Sequence, residues 1–202
     1  RSDVKAVTIT ADTVALDADG ISAAASVGNN AALTIGGALA SGGAVALSHG
    51  RIVTILSAGN DAAKSFTVVG TDVNGDAQTE SITGANAGTA TGTVFFKTIA
   101  SITAVGNPAG NVSAGVNTSA ADVIFSGRSR LKGIYLTSTA TAGTVDFLNT
   151  SPSGTSIMGL SSVGDADATR DVVIPDEGVV FNDGIYIEYT VSTFLTMTVF
   201  HA

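Results

Sequence analysis

From Arg51 to Phe200 the chain repeats one pattern. A short run of alternating apolar and polar residues, rich in Val, Ile, Thr and Phe, is followed by a cluster of Gly, Asn, Asp, Ser or Pro. A period of two places every second side chain on one face of an extended strand, whereas a helix needs a period near 3.6. Strands are therefore expected at Arg51–Leu56, Ser65–Val69, Gln78–Thr83 and Thr93–Val105, and in a second set at Asp122–Ser126, Arg130–Thr137, Thr144–Leu148, Ser156–Leu160, Asp171–Ile174, Gly184–Tyr189 and Thr193–Phe200. Helix signals are weak. Ala23–Ala25 and Ala31–Ala32 are separated by Gly28, Asn29 and Asn30, and Asp165–Asp171 has room for one turn. The expected fold is all-β: two small antiparallel β-sandwich or barrel-like modules with long Ala/Gly-rich loops.

Several finer expectations follow. Asn74-Gly75 lies between two strand runs, and this dipeptide suits a type I′ turn, which needs positive φ at both central residues. Thr93–Val105 is long for one strand, so a bend or bulge is expected near Ala100. In the last run Leu195, Met197 and Val199 share one face, with Phe194 and Phe200 on the other. The Ser/Ala/Asn stretch at Asn117–Ala121 divides the chain into residues 1–119 and 120–202. No aromatic residue precedes Phe66, so the first third is expected to pack through aliphatic side chains on something else, with an extended Ala/Gly-rich arm at about residues 20–50.

Composition removes several classes. Ala, Gly, Ser and Thr make up half of the 202 residues, 13% are charged, 45% are hydrophobic, and there is no Cys. A disordered chain would carry more charge and less apolar surface. A disulfide scaffold is impossible. A net charge of −8 argues against a nucleic-acid-coating surface. The longest uncharged stretch, Gly20–Gly50, is too polar to span a membrane.

Catalytic motifs were sought by the chemistry they require. No lysine follows a glycine, so a Gly-Lys-Ser/Thr phosphate loop is absent, and no serine sits in Gly-x-Ser-x-Gly. The glycines at Gly36–Gly43 read as close packing or backbone freedom. His49, in a Gly/Ser stretch, and His201, beside the last residue, are the only histidines, a poor basis for acid–base chemistry. Carboxylates cluster at Asp165, Asp167, Asp171, Asp176 and Glu177, and again at Asp17 and Asp19. Pairs of this kind serve glycoside hydrolysis or Ca²⁺ binding, but the EF-hand spacing fails, and solvated acidic loops account for them more simply. No catalytic residue, cofactor site or metal site is expected. Tyr135, Tyr186 and Tyr189 are candidates for a shallow glycan- or receptor-binding site. The sequons at Asn111, Asn117 and Asn149 are of the frequency expected in a Ser/Thr/Asn-rich chain.

The sharpest charge feature is Arg128, Arg130 and Lys132. Strand alternation puts all three on one face, a basic stripe in an acidic protein. It is the candidate partner-contact site, facing a capsid subunit or the acidic loops of a neighbouring copy. The plainer reading is a solvent face, or cations that blunt a sheet edge.

Two groups of residues carry a resemblance. Leu33–Gly43, Ser57–Asp61, Phe66–Asp72, Asn74-Gly75, Thr79-Glu80, Thr83–Thr89, Phe96–Thr98 and Ile102-Thr103 together resemble a recurrent module in structural proteins of tailed bacteriophages. Arg130–Tyr135, Pro175–Gly178, Phe181–Tyr186 and Thr198–Phe200 are similar to a second virion-associated β-module. The resemblance implies a non-enzymatic virion component. A capsid decoration or cement protein on the head surface is favoured over a tail, connector or fibre part. It would contact the major capsid protein or other virion proteins and form a homo-oligomer, with a trimer favoured because closed symmetry suits a protein repeated over a shell.

Overall fold

The computed structural model describes residues 3–10, 16–117, 121–151, 153–190 and 192–202. It is all-β, with sixteen strands among the described residues arranged in antiparallel sheets. The chain divides into two compact units, Leu16–Thr118 and the combination of Arg1–Ala15 with Ser119–Ala202.

The Leu16–Thr118 unit contains β2 (Asp17–Ser26), β3 (Ala40–Ser41), β4 (Ala44–Ser57), β5 (Ser65–Thr71), β6 (Ala77–Thr83), β7 (Thr89–Val105) and β8 (Asn111–Val116). Its strands pair in the order β2-β8-β4-β7-β5-β6, with β3 folded back on β4. Alternation works as expected in β5, where Phe66 and Val68 point into the core and Thr67 and Val69 do not. Ile21, Leu33, Val45, Val53 and Ile55 close around Phe66 and Phe96. The aliphatic first third therefore packs on two phenylalanines of its own unit.

The other unit contains β1 (Lys5–Thr10), β9 (Ala121–Ser126), β10 (Ser129–Ser138), β11 (Ala142–Asn149), β12 (Ser156–Val163), β13 (Thr169–Val173), β14 (Val179–Phe181), β15 (Gly184–Tyr189) and β16 (Phe194–His201). One layer runs β1-β16-β10-β13, with β14 also on β10, and the other runs β12-β11-β15-β9. Ile9, Leu131, Ile134, Met197 and Val199 from the first layer meet Phe147, Ile185 and Ile187 from the second, which makes a sandwich core.

Four expectations need correction. The first module was expected to be residues 1–119, but β1 lies along β16, Lys5 opposite His201 through Thr10 opposite Thr196, and places Ile9 in the second unit's core. Nothing local in Lys5–Thr10 names that partner. The expected arm at 20–50 is also mostly stitched into sheets. β2 pairs with β8, Leu33 N–H donates to Ile102 O (2.8 Å), and Leu39 N–H donates to Gly20 O (2.8 Å). A Cβ at Gly37 would lie 2.3 Å from the Asp19 and Gly20 carbonyl oxygens, so the small residues here permit close backbone approach.

The Asn74-Gly75 turn is not type I′, because Gly75 has φ +89° while Asn74 stays at negative φ. The loop is longer, with Asp72 N–H donating to Asp76 O, and the Asp72 carboxylate accepts the amides of Asn74 (2.8 Å) and Asp76 (3.0 Å). An Asx-type turn has replaced the mirror-image one.

The fourth correction concerns Leu195. Thr137 faces Thr196 but Ser138 faces Phe194, which leaves Leu195 as an extra residue in β16. The bulge reverses the side-chain phase, so Phe194 and Met197 are buried while Leu195 is 42% exposed. The bulge expected near Ala100 is present. Val69 faces Ser101 and Gly70 faces Ile99, so Ala100 is the extra residue, and Ile99 and Ile102 both reach the core.

Candidate functional site

The basic stripe is built on β10. Leu131 and Ile134 are fully buried, and their three-residue spacing needs a bulge, which falls at Lys132: Leu131 faces His201 and Gly133 faces Phe200. Arg130 and Lys132 reach one turn, residues 174–178, between β13 and β14. Lys132 Nζ donates to Asp176 O (2.8 Å) and Arg130 Nη1 donates to Glu177 O (3.3 Å). Asp176 sits at φ +55° and Gly178 at φ +77°, and Gly178 N–H closes on Pro175 O (3.2 Å). Two cations thus satisfy carbonyls that a strained turn turns toward them. Arg128 is different. It lies before β10, after Gly127 at φ +101°, and is exposed. The expected three-residue stripe therefore separates into a two-residue clamp and one exposed arginine, because the strand starts at Ser129.

The carboxylates are spread over two turns and a strand. Asp165 and Asp167 lie in the turn before β13, Asp171 on β13, and Asp176 and Glu177 in the turn after it. The two turns are separated by five strand residues, roughly 16 Å, beyond the roughly 5–9.5 Å of a glycosidase pair, so no such pair spans them. The Asp165–Ala168 turn is fastened to β10, since Ser138 Oγ donates to Asp165 O (2.7 Å) and Asp167 N–H donates to Ser138 O (3.0 Å). Asp17 and Asp19 belong to β2 in the other unit. Among the described residues no three His, Cys, Asp or Glu side chains are grouped to hold a metal ion.

The aromatic candidates are dispersed. Tyr189 is buried and its hydroxyl donates to the buried Asp122 Oδ2 (2.6 Å), while its ring meets Phe194 edge-on. Tyr186 lies on β15, between the inward-facing Ile185 and Ile187. Tyr135 is 41% exposed on the other layer, opposite Thr198 on one side and Asp171 on the other. The expected shallow site of three tyrosines is not formed.

Both histidines are strand residues rather than exposed turn or terminal ones. His49 is buried in β4, with Ser48 Oγ 2.8 Å from Nδ1. Burial, then Arg51 and then Lys97, lower its pKa to about 3. The neighbourhood is cationic, since Lys97 Nζ donates to Ser48 O (2.6 Å) and Arg51 Nη2 donates to Asn117 O. His201 is buried in β16, with Nδ1 3.2 Å from Ser129 Oγ, and burial followed by Lys5 lowers its pKa. Neither ring carries charge at neutral pH.

One polar residue was not singled out from sequence. Asp61 is fully buried and its Oδ1 accepts the Ala109 amide (2.7 Å), while its own amide donates to Ala85 O (2.9 Å). It ties three connections together: the loop after β4, the turn before β7 and the turn before β8. The available signal was its place at the end of Ser57–Asp61, and its partner Ala109 lies in the connection between β7 and β8. Nothing local shows that these two segments meet.

No family model, no curated protein and no solved structure matches this chain.

Proposed function

We propose that this chain is a non-enzymatic structural protein of a tailed-phage virion, a decoration or cement protein on the outer surface of the head. It binds the major capsid protein or other virion proteins and associates with copies of itself. The observation that carries this reading is the use made of its polar side chains. Arg130 and Lys132 clamp the 174–178 turn, Asp61 ties three connections, Ser138 holds the Asp165–Ala168 turn, and both histidines are buried and uncharged. These groups make a durable β-scaffold rather than a reaction centre. The resemblance of Leu33–Gly43 with Ser57–Val116, and of Arg130–Phe200, to virion modules supplies the context.

The experiment is a cryo-EM reconstruction of the particle. Hundreds of copies on the head support decoration, and a handful at the tail or connector moves the protein to the alternative location. Absence from the purified particle overturns the reading. A second reading, glycan or receptor binding, has one observation in its favour: the exposed Tyr135 ring stands between Thr198 and Asp171 in a row that also includes Thr8. Binding on a glycan array that disappears in Tyr135→Ala would support it.

A further inference from the structure

β12 ends its layer and, among the described residues, pairs only with β11. The direction of its backbone groups follows from β11. The Thr190 amide donates to Thr144 O (3.0 Å), so Thr144 turns its backbone groups toward β15. Thr144 lies opposite Ser161. In an antiparallel ladder a residue directs its N–H and C=O to one neighbour only. Ser161 therefore turns both away from β11, and alternation makes Gly159 and Val163 do the same. On the core side of β12, Met158 and Leu160 pack inward and Ser162 is buried. On the outer side Gly159 and Ser161 are exposed, and Val163 is 74% exposed.

Such an edge invites strand addition, and proteins usually blunt it with charge. Four other outer strands of five residues or more follow that rule: Lys5 in β1, Arg170 and Asp171 in β13, Asp17 and Asp19 in β2, Glu80 in β6. β12 does not. No Asp, Glu, Lys or Arg occurs anywhere from Phe147 to Gly164.

The geometry points to β12 as a self-pairing edge: two copies of this chain join antiparallel across a two-fold axis at Ser161. A two-fold axis sets each residue against its own kind or its mirror position, so any charge near the axis would meet a like charge. This strand is free of that penalty. With Ser161 opposite Ser161 of the second copy, Val163 falls opposite Gly159. The exposed isopropyl group then lies beside a position that has no side chain of its own, where a Cβ would come within 2.9 Å of Asp146 Oδ1. Leu160 falls opposite Ser162, and the pairing continues the inward-facing row from one copy to the next. The resulting symmetry is two-fold, not the three-fold favoured for a protein repeated over a shell. The inference sharpens the self-association in the proposed function and does not depend on the particle that carries the protein.

The chain has no cysteine, which makes the test direct. Hydrogen-bonded antiparallel partners have Cα atoms roughly 5.5 Å apart, inside the disulfide range of roughly 4.4–6.8 Å. Under mild oxidation Ser161→Cys should form a covalent dimer at least tenfold faster than Val173→Cys, an exposed position on another edge. In sedimentation the wild type should dimerise at micromolar concentration, and Ser161→Lys should be monomeric with an unchanged circular dichroism spectrum. Equal cross-linking rates in the two cysteine variants overturn the proposal. So does a wild type that stays monomeric, or an oligomer that persists in Ser161→Lys, because copies would then meet elsewhere. A monomer present in hundreds of copies on the particle would overturn self-pairing and leave the decoration reading standing.

Discussion

The two units reach a stable core by different routes. The unit holding β9–β16 uses large side chains, with Phe147, Phe181 and Phe194 buried between two layers. The Leu16–Thr118 unit has only Phe66 and Phe96 fully buried among its aromatics and relies on Val, Ile and Ala, with backbones brought close at glycine. Burial is worth roughly 25 cal/mol per Å² wherever the area comes from. A core of small side chains must collect that area through more, and closer, backbone contacts. This explains why a segment as bland as residues 20–50 is held by backbone hydrogen bonds on both sides. Close backbone approach in this segment is made at Gly37, while Ala23–Ala25 are exposed and Gly42 and Gly43 have open space around them.

Deleting rings would test that contrast most severely. Phe147→Ala and Phe66→Ala should each cost about 3–5 kcal/mol in chemical denaturation. A markedly smaller loss at Phe66 would mean that the small residues around it close over the gap, and would sharpen the difference between the cores. Next in size is the polar tie confined to the Leu16–Thr118 unit. Asp61→Ala removes a fully buried carboxylate that accepts the Ala109 amide and should cost about 1–3 kcal/mol. Asp61→Asn keeps an acceptor and should cost less, with hydrogen exchange at Ala109 reporting the difference. Equal losses in the two variants would show that the tie is not made through this oxygen.

The histidines extend the comparison to pH. A depressed folded-state pKa means that the unfolded chain binds the proton more readily. The stabilising effect of a neutral His49 is complete above pH 6.5, and is lost as pH falls from 6.5 toward about 3. The folding constant should drop by up to about tenfold per pH unit in that window, and His49→Gln should flatten the profile. His201, in the other unit, works in the same direction. The smallest effects belong to the turn clamp. Lys132→Met should cost under about 1 kcal/mol, because its partner turn is solvent-accessible. Arg128→Glu should leave stability unchanged and weaken particle attachment if this exposed arginine meets the shell, which a binding assay on stripped particles would measure.

Much of the strand content was legible in sequence because alternation is written locally. Register breaks were legible only in part. In three strands the buried residues are spaced three apart rather than two: Ile99 and Ile102, Leu131 and Ile134, Phe194 and Met197. Each pair brackets a bulge, at Ala100, Lys132 and Leu195. The length of β7 gave away the first. In the last, Leu195 is itself apolar, so the sequence offered two phases and only pairing with β10 selected one. The basic stripe divides for a related reason. Alternation says which residues share a face, but not where the strand begins, and Arg128 lies just outside it.

The sequence by itself determined that the chain is all-β, where most of its turns fall, and that no cysteine is available to it. Those properties depend on side-chain identity and on spacing along a few residues. Tertiary structure decided the rest: that β1 joins the unit at the other end of the chain, that residues 20–50 are sheet-bound, that both histidines are buried, and that Arg130 and Lys132 serve a turn more than forty residues away. These outcomes depend on which strand lies beside which and in what register. Every strand offers the same row of backbone donors and acceptors, so the choice among partners is made by how whole faces fit together in three dimensions.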